Sequence, residues 1–366
     1  MNFKPVPGAR YKRDYEAIFR AIAGKELDGR SAYRTLILED LWFIVYFVMG
    51  ISIANHPFVV QYCREVEKGP KDYTLDLAAR GHFKTSILTQ AEVMQKILRN
   101  PEERVGILSY TRPSAKSFLR NIKFNLEQNE NLKMCFPDVL YANPQAESPK
   151  WSEDDGIIVK RKGIYNEATV EAWPLTEGMP TRTHYTHRVY DDIETKDLVG
   201  TPETIANLKE NFGLSQNLKT VGGTHRVVAT PYHHSGLVQY IREMKDIHGR
   251  LVYYLRHKPA THDGTANGRP VFLSQEELDI LKIDEYSFNC MQLLDPTPIK
   301  GINKLNSAYL KIIHQEAIPG DILKFMVIDP AGDSSAVRDG DSWAIHVVGV
   351  SPSTDQIGAS NVYVLD

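Results

Sequence analysis

Residues 73–98 read YTLDLAARGHFKTSILTQAEVMQKIL, and the change of period along them decides the fold class. YTLDLAA (73–79) is a short apolar run of strand length, whereas ILTQAEVMQKIL (87–98) repeats its apolar residues at helical spacing. RGHFKTS lies between them as a tight loop. A strand running through a loop into a helix N-terminus gathers backbone N–H groups around an anion, and the helix dipole adds to the attraction. Lys84 is placed to reach the outer phosphates of a nucleotide, and Thr85 offers a hydroxyl to Mg²⁺. Arg80, Gly81, His82, Phe83, Lys84, Thr85 and Ser86 are therefore candidate nucleotide-binding residues. The segment departs from GxxxxGK[ST]: Ala78 stands at the first glycine position and Phe83 at the second. Its plain alternative is an ordinary helix start capped by Thr85 or Ser86.

Working outward, RVGILSY (104–110), HRVYDD (187–192) and THRVVAT (224–230) are further buried-strand candidates. RPSAKSFLRNIKFNLEQN and TIANLKENFGLSQNLK lie between them with helical periodicity. Alternation of this kind implies α/β architecture with a parallel sheet and right-handed crossovers. Residues 156–173 (GIIVKRKGIYNEATVEAW) alternate around a KRKG turn and predict a hairpin.

HRVYDDIET ends an apolar strand in adjacent acids, a costly place for charge unless it meets a cation or faces a site. In a nucleotide-hydrolysing site one acid holds the Mg²⁺ shell and a neighbour orients the attacking water. Asp191 fits the first role; Asp192 and Glu194 both fit the second, and the sequence leaves them open. Lys84 and Asp191 both fall at C-terminal strand ends, where open α/β sheets bind ligands. VVATPYHHSG (227–236) is a third strand end, carrying Thr230.

The chain has 366 residues, enough for about two domains. At 42% hydrophobic and 24% charged residues it has globular composition. Cys63, Cys135 and Cys290 form no CxxC pair, which argues against a zinc knuckle or disulfide framework and for an intracellular, reduced protein. The N-terminal residues lack the apolar stretch of a secretion signal. LWFIVYFVMGISIA (41–54) is shorter than a membrane span and reads as a core helix, so no membrane is expected. With a net charge of −3, any nucleic acid must be held by a local patch. Arg112, Lys116, Arg120 and Lys123 share one helical sector, opposite Ala115, Phe118, Leu119 and Ile122. Such a stripe either tracks a phosphate backbone or is a solvated face; the Lys160-Arg161-Lys162 turn is a second candidate of the same kind.

The order ARGHFKTS, RVGILSYTRPSAKSFLRNI, WPLTEGMPTRTHYTHRVYDDIET, VVATPYHHSG, MVIDPAGDSS resembles the large subunits of tailed-phage terminases from about residue 30 onward. The resemblance implies a P-loop NTPase sheet with flanking helices, a small linker or lid subdomain, and the beginning of an RNase H-like nuclease sheet. The corresponding divisions are an N-terminal helical segment (1–55), the ATPase core (56–234), the linker or lid (235–322) and the nuclease start (323–366). It also implies an ATP-driven motor that packages double-stranded DNA into a procapsid. Lys84 and Thr85 match the nucleotide Lys and the Mg²⁺ hydroxyl, and Arg80 the loop arginine proposed to stabilise the transferring phosphoryl group. Asp191 matches the Mg²⁺ carboxylate, and Thr230 the motif that couples phosphate loss to movement. Phe58 and Gln61 stand where the family holds adenine, but match its pattern poorly.

Asp329 matches the first metal-binding acid of the nuclease, with Asp341 a second nearby. The family's other acids come later in its chains, so an incomplete nuclease using Mg²⁺ or Mn²⁺ is expected. The implied partners are DNA, the portal protein, the terminase small subunit and further copies in a ring, a pentamer on the portal. The implied location is the host cytoplasm, transiently on the procapsid. Two rivals remain: another P-loop nucleic-acid motor of helicase type, and a prophage remnant that no longer hydrolyses ATP.

Overall fold

The computed structural model describes residues 3–176, 178–180 and 182–296, then 314, 316, 318, 320, 322–329, 344–350 and 362–365. The chain divides into two compact units, residues 1–299 and 300–366.

The first unit is built on one eight-stranded sheet. Its strands in chain order are Thr74–Ala78 (β1), Val105–Ser109 (β2), Trp151–Ser152 (β3), Gly156–Ile157 (β4), Val170–Pro174 (β5), Tyr185–Asp191 (β6), Lys219–Ala229 (β7) and Tyr254–Lys258 (β8). Across the sheet the order is β3-β4-β5-β2-β6-β7-β1-β8. From β5 to β8 all neighbours are parallel, and the β3–β4 and β4–β5 pairs are antiparallel, which leaves β4 as the one reversed strand of this sheet. β7 lies between the strand that enters the phosphate loop and the strand that ends in the acid pair. Leu77 pairs with Ala229, and Val228 with Asp191, so the C-terminal ends of β1, β7 and β6 share one rim.

β1 and β2 are buried along their whole length, as strands covered on both faces by helices must be. Side chains alternate across the sheet. Ala78, Ile107, Val189 and Val228 join the core beneath the helices Gly29–Glu39, Pro57–Lys68, Glu92–Arg99 and Arg112–Gln128. Leu77, Leu108, Tyr190 and Val227 join the opposite core, with the helices Pro202–Ser215 and Leu237–Glu243. Trp42, Phe43, Ile44 and Val45 are buried in the first of these cores, whereas Gly50, Ser52 and Ile53 of the same apolar stretch are exposed. It is broken into Leu41–Phe43, a π-turn at Ile44–Val48 and a 3₁₀-turn at Ser52–Ala54. No helix among the described residues is long and apolar enough to cross a membrane.

The N-terminal helices share the sheet's core, and β8 pairs with β1 over five residues. Residues 156–173 hold the expected antiparallel pairing between consecutive strands, over a single position. Ile157 pairs antiparallel with Val170, but β5 itself runs parallel to β2. The connection between them is held elsewhere, with the Lys162 and Gly163 N–H groups donating to Glu102 at 2.7 and 2.9 Å.

In the second unit Leu323–Asp329 (β9), Ala344–Val350 (β10) and Val362–Val364 (β11) form an antiparallel sheet in the order β11-β10-β9. Phe325, Met326, Val327 and Ile328, successive residues that point alternately to opposite faces of β9, are all exposed. Asp329 ends β9 opposite Ala344. Asp341 lies outside the described residues.

Candidate nucleotide-binding site

The loop between β1 and the following helix is held from behind. The Ala79 N–H donates to the Lys258 carbonyl at 2.9 Å, and the Arg80 N–H to the Met291 carbonyl at 2.9 Å. Gly81 has a φ of 82° and Phe83 a φ of 66°. Phe83 therefore adopts the left-handed conformation that a glycine takes without strain, at a cost of about 1–2 kcal/mol. Its ring packs edge-on against Phe272 at 5.1 Å. His82 is buried between Phe58 and Phe272, at 5.4 and 5.6 Å, with Nδ1 3.1 Å from the Arg80 carbonyl. Burial pushes its pKa down, so the ring stays neutral. After Lys84 and Thr85 the helix continues as a π-turn over Ser86–Ala91 and then as Glu92–Arg99.

All seven residues Arg80–Ser86 line a cavity of about 570 Å³, together with Asp192, Glu194 and Thr230. Lys84 Nζ donates to Thr230 Oγ1 at 2.7 Å. Asp191 is fully buried at the end of β6. Thr89 Oγ1 donates to its Oδ2 at 2.5 Å, and its Oδ1 has no hydrogen-bond partner among the described residues. Burial, reinforced by the Asp192 charge, pushes the Asp191 pKa up to about 7, against the pull of the Thr89 hydroxyl, the Lys84 ammonium and the Thr85 hydroxyl. Asp191 lies beneath the cavity rather than on its wall, which Lys84 and Asp192 line.

The two candidate water-orienting acids differ in what holds them. Asp192 takes a φ of 50°, which turns the chain into the cavity, and no hydrogen bond to its carboxylate is found among the described residues. Glu194 is 1% exposed; its Oε1 accepts from the Tyr232 N–H and its Oε2 from the Val238 N–H, both at 2.8 Å. The Tyr232 carbonyl in turn accepts from the Tyr286 hydroxyl at 2.5 Å. Arg80 borders the cavity, with Nη1 donating to Met291 Sδ at 4.0 Å.

Other candidates sit elsewhere. Gln61 is exposed, donates to Glu65 Oε1 at 3.0 Å and does not line the cavity. Phe58 is half-buried against His82 rather than open to a ligand. The basic side chains of Arg112–Gln128 each meet a partner. Lys116 bonds Asp154, and Arg120 grips Glu153 through Nε and Nη2 at 2.9 and 2.7 Å. Lys123 pairs with Glu127 at 3.0 Å, and Arg112 lies over the Trp173 ring at 5.1 Å. In the second candidate patch, Lys160 donates to the Pro137 carbonyl at 2.9 Å and Arg161 to the Glu167 carbonyl at 2.7 Å.

Sequence reading missed Thr89, although it stands one helical turn beyond Thr85, at the spacing that puts both hydroxyls on one face. It also missed Tyr110, Ser114 and Phe118 on the cavity wall, which no spacing pointed to. Among the described residues no group of three or more His, Cys, Asp or Glu side chains is arranged to hold a metal ion by itself. A lone buried carboxylate oxygen next to a Thr hydroxyl suits an Mg²⁺ that takes its remaining ligands from phosphates and water.

Phage large terminases are among the solved structures that resemble this chain. No protein-family model matches it, and no curated protein does. The HK97 bacteriophage large terminase is 13% identical with a TM-score of 0.44, over 84% of this chain and 62% of that one. The large terminase ATPase domain of Thermus phage P74-26, in a mutant form, is 11% identical with a TM-score of 0.41, over 68% of this chain and 96% of that one. This chain thus spans 62% of the HK97 protein's length.

Proposed function

We propose that this chain is the ATP-hydrolysing part of a terminase-type motor that moves double-stranded DNA. One observation carries the hydrolytic half of the reading: Lys84, Thr85, Asp191, Asp192 and Thr230, from three separate parts of the chain, converge at one strand rim, with β7 between the loop strand and the acid strand. The DNA half rests on the motif order of the sequence.

Backbone N–H groups of the Gly81–Thr85 loop would cradle the β- and γ-phosphates, with Lys84 against their outer oxygens and Arg80 at the rim. Thr85 and Asp191 would hold Mg²⁺, which when bound neutralises charge on the bridging and γ-oxygens. Asp192, whose carboxylate takes no hydrogen bond among the described residues, would orient the attacking water and accept its proton. The occupied oxygens of Glu194 make it the weaker candidate. Thr230, bonded to Lys84, would register loss of the γ-phosphate. The conformation of Phe83 favours a working loop over a degenerate one, because it reproduces the backbone turn of the missing glycine.

In this reading the chain would act in a ring, a pentamer on a portal, with the small subunit and procapsid as partners in the host cytoplasm. Residues 323–366 would begin a metal-dependent nuclease, with Asp329 as its first acid. The test is ATP turnover by wild type and Lys84→Ala, with and without duplex DNA. Loss of one such donor is expected to lower kcat about 100- to 1,000-fold. Equal rates would sink the hydrolytic reading, turnover indifferent to DNA would sink the motor, and separation of a forked duplex would favour a helicase.

A further inference from the structure

We propose that Glu194 is a positioning residue that rivets the acid turn to the Thr230 loop, so that Asp192 and Thr230 hold a fixed spacing about the γ-phosphate. The proposal rests on the ATPase reading above and adds to it a residue that acts without touching substrate.

Asp192 lies two residues before Glu194, and Thr230 two residues before Tyr232. The Glu194 carboxylate spans these segments, taking the Tyr232 N–H on one oxygen and the Val238 N–H on the other, each at 2.8 Å. A carboxylate 1% exposed is expensive to bury unless its oxygens are satisfied, and here two backbone donors satisfy them. The surroundings are shaped for it: a Cβ on Gly236 would lie 2.5 Å from Oε2 and 2.7 Å from Oε1. Glycine at 236 therefore leaves the space that the carboxylate fills. The carbonyl of the same residue is tied down as well, with the Tyr286 hydroxyl donating to it at 2.5 Å. A buried acid whose bonds run only to the backbone of the neighbouring catalytic segment serves spacing; proton transfer would require a free oxygen facing the water.

The experiment uses the full chain with Mg·ATP for turnover and a non-hydrolysable ATP analogue with Mg²⁺ for binding. Glu194→Gln keeps the shape but presents an N–H₂ group to one of the two backbone donors. Gly236→Ala displaces the carboxylate without changing any residue of the site. Each is expected to lower kcat about 10- to 100-fold through misplacement, with KM and the analogue Kd held within about threefold. Asp192→Asn is expected to lower kcat further, by about 1,000-fold. The proposal is overturned if Glu194→Gln loses activity as completely as Asp192→Asn, which would make Glu194 the base. It is overturned equally if both rivet variants keep the wild-type kcat. It also fails if KM, Kd and melting temperature deteriorate together, which would mean a purely structural role. A wild-type chain without turnover removes the ATPase reading itself and the role of Glu194 with it.

Discussion

The ammonium of Lys84 and the hydroxyl of Thr230 meet at 2.7 Å, although 146 positions separate them in the chain. The contact exists because β7 runs beside β1 and ends level with it, so that the loop lysine reaches across to the next strand end. A hydrogen bond to a charged group contributes about 1.5–3 kcal/mol. Thr230→Val removes the acceptor, leaves the shape and frees the ammonium. Steady-state kinetics are expected to show kcat down at least about 10-fold with little change in nucleotide affinity, and Thr230→Ser to restore most of it. A Val variant with wild-type kcat would show that the bond is incidental.

At Phe83 the usual ranking of substitutions should invert. Ala and Gly both remove the ring, but only Gly also relieves the left-handed backbone at φ 66°. Urea unfolding should find Phe83→Gly more stable than Phe83→Ala by about 1 kcal/mol. The reverse order would mean that the loop does not hold this conformation in solution.

The acids facing the basic sector should screen it from DNA. Because Arg120 is held by Glu153 and Lys116 by Asp154, Arg120→Ala is expected to change duplex affinity by less than about twofold. Neutralising both acids, as Glu153→Gln with Asp154→Asn, should strengthen binding and steepen its dependence on salt. Fluorescence anisotropy over a salt series reads both quantities. A large loss on Arg120→Ala would show that DNA displaces the ion pair.

His225 should give the fold an acid-sensitive term. It is fully buried beside Tyr253, whose hydroxyl lies 2.8 Å from its Nε2. Burial, and then the Arg188 charge, push its pKa down to about 3 from the ordinary 6.5. A depressed histidine stays neutral in the folded chain while the unfolded chain gains a proton. Its contribution is therefore complete above about pH 6.5 and is lost as pH falls from there toward 3. Asp72, with Oδ1 accepting the His225 N–H at 2.8 Å, and Lys219, bonded to Asp72 at 2.9 Å, complete the charged surroundings. Melting temperature should fall between pH 7 and 5, and more gently in His225→Gln. Parallel pH curves for the two proteins would assign the loss to other groups.

Much of this arrangement could be read from the sequence where local pattern and tertiary context agree. β1, β2, β6 and β7 are apolar runs buried on both faces, so the runs alone mark them. Lys84, Thr85 and Asp191 follow from standing at the ends of such runs. β8 escaped because Tyr254–Lys258 is an edge strand with Arg256 and Lys258 in it, and its pattern looks like a loop until β1 is beside it. The stripe on Arg112–Gln128 was visible as a stripe. Its neutralisation was not, because Glu153 and Asp154 come from a turn more than thirty residues downstream. The choice between Asp192 and Glu194 likewise depended on Tyr232 and Val238, whose backbone donors carry no sequence signal.

The pairing of β8 with β1 has a mechanical consequence. Five residue pairs, Thr74 with Tyr254 through Ala78 with Lys258, stitch the stretch after the Thr230 loop onto the strand that feeds the phosphate loop. That stretch cannot swing as a hinged flap while the ladder is intact; it must ride with the sheet as part of one stiff chassis. Any power stroke would have to pivot on chain beyond Lys258, whose carbonyl already anchors the Ala79 amide at the root of the loop.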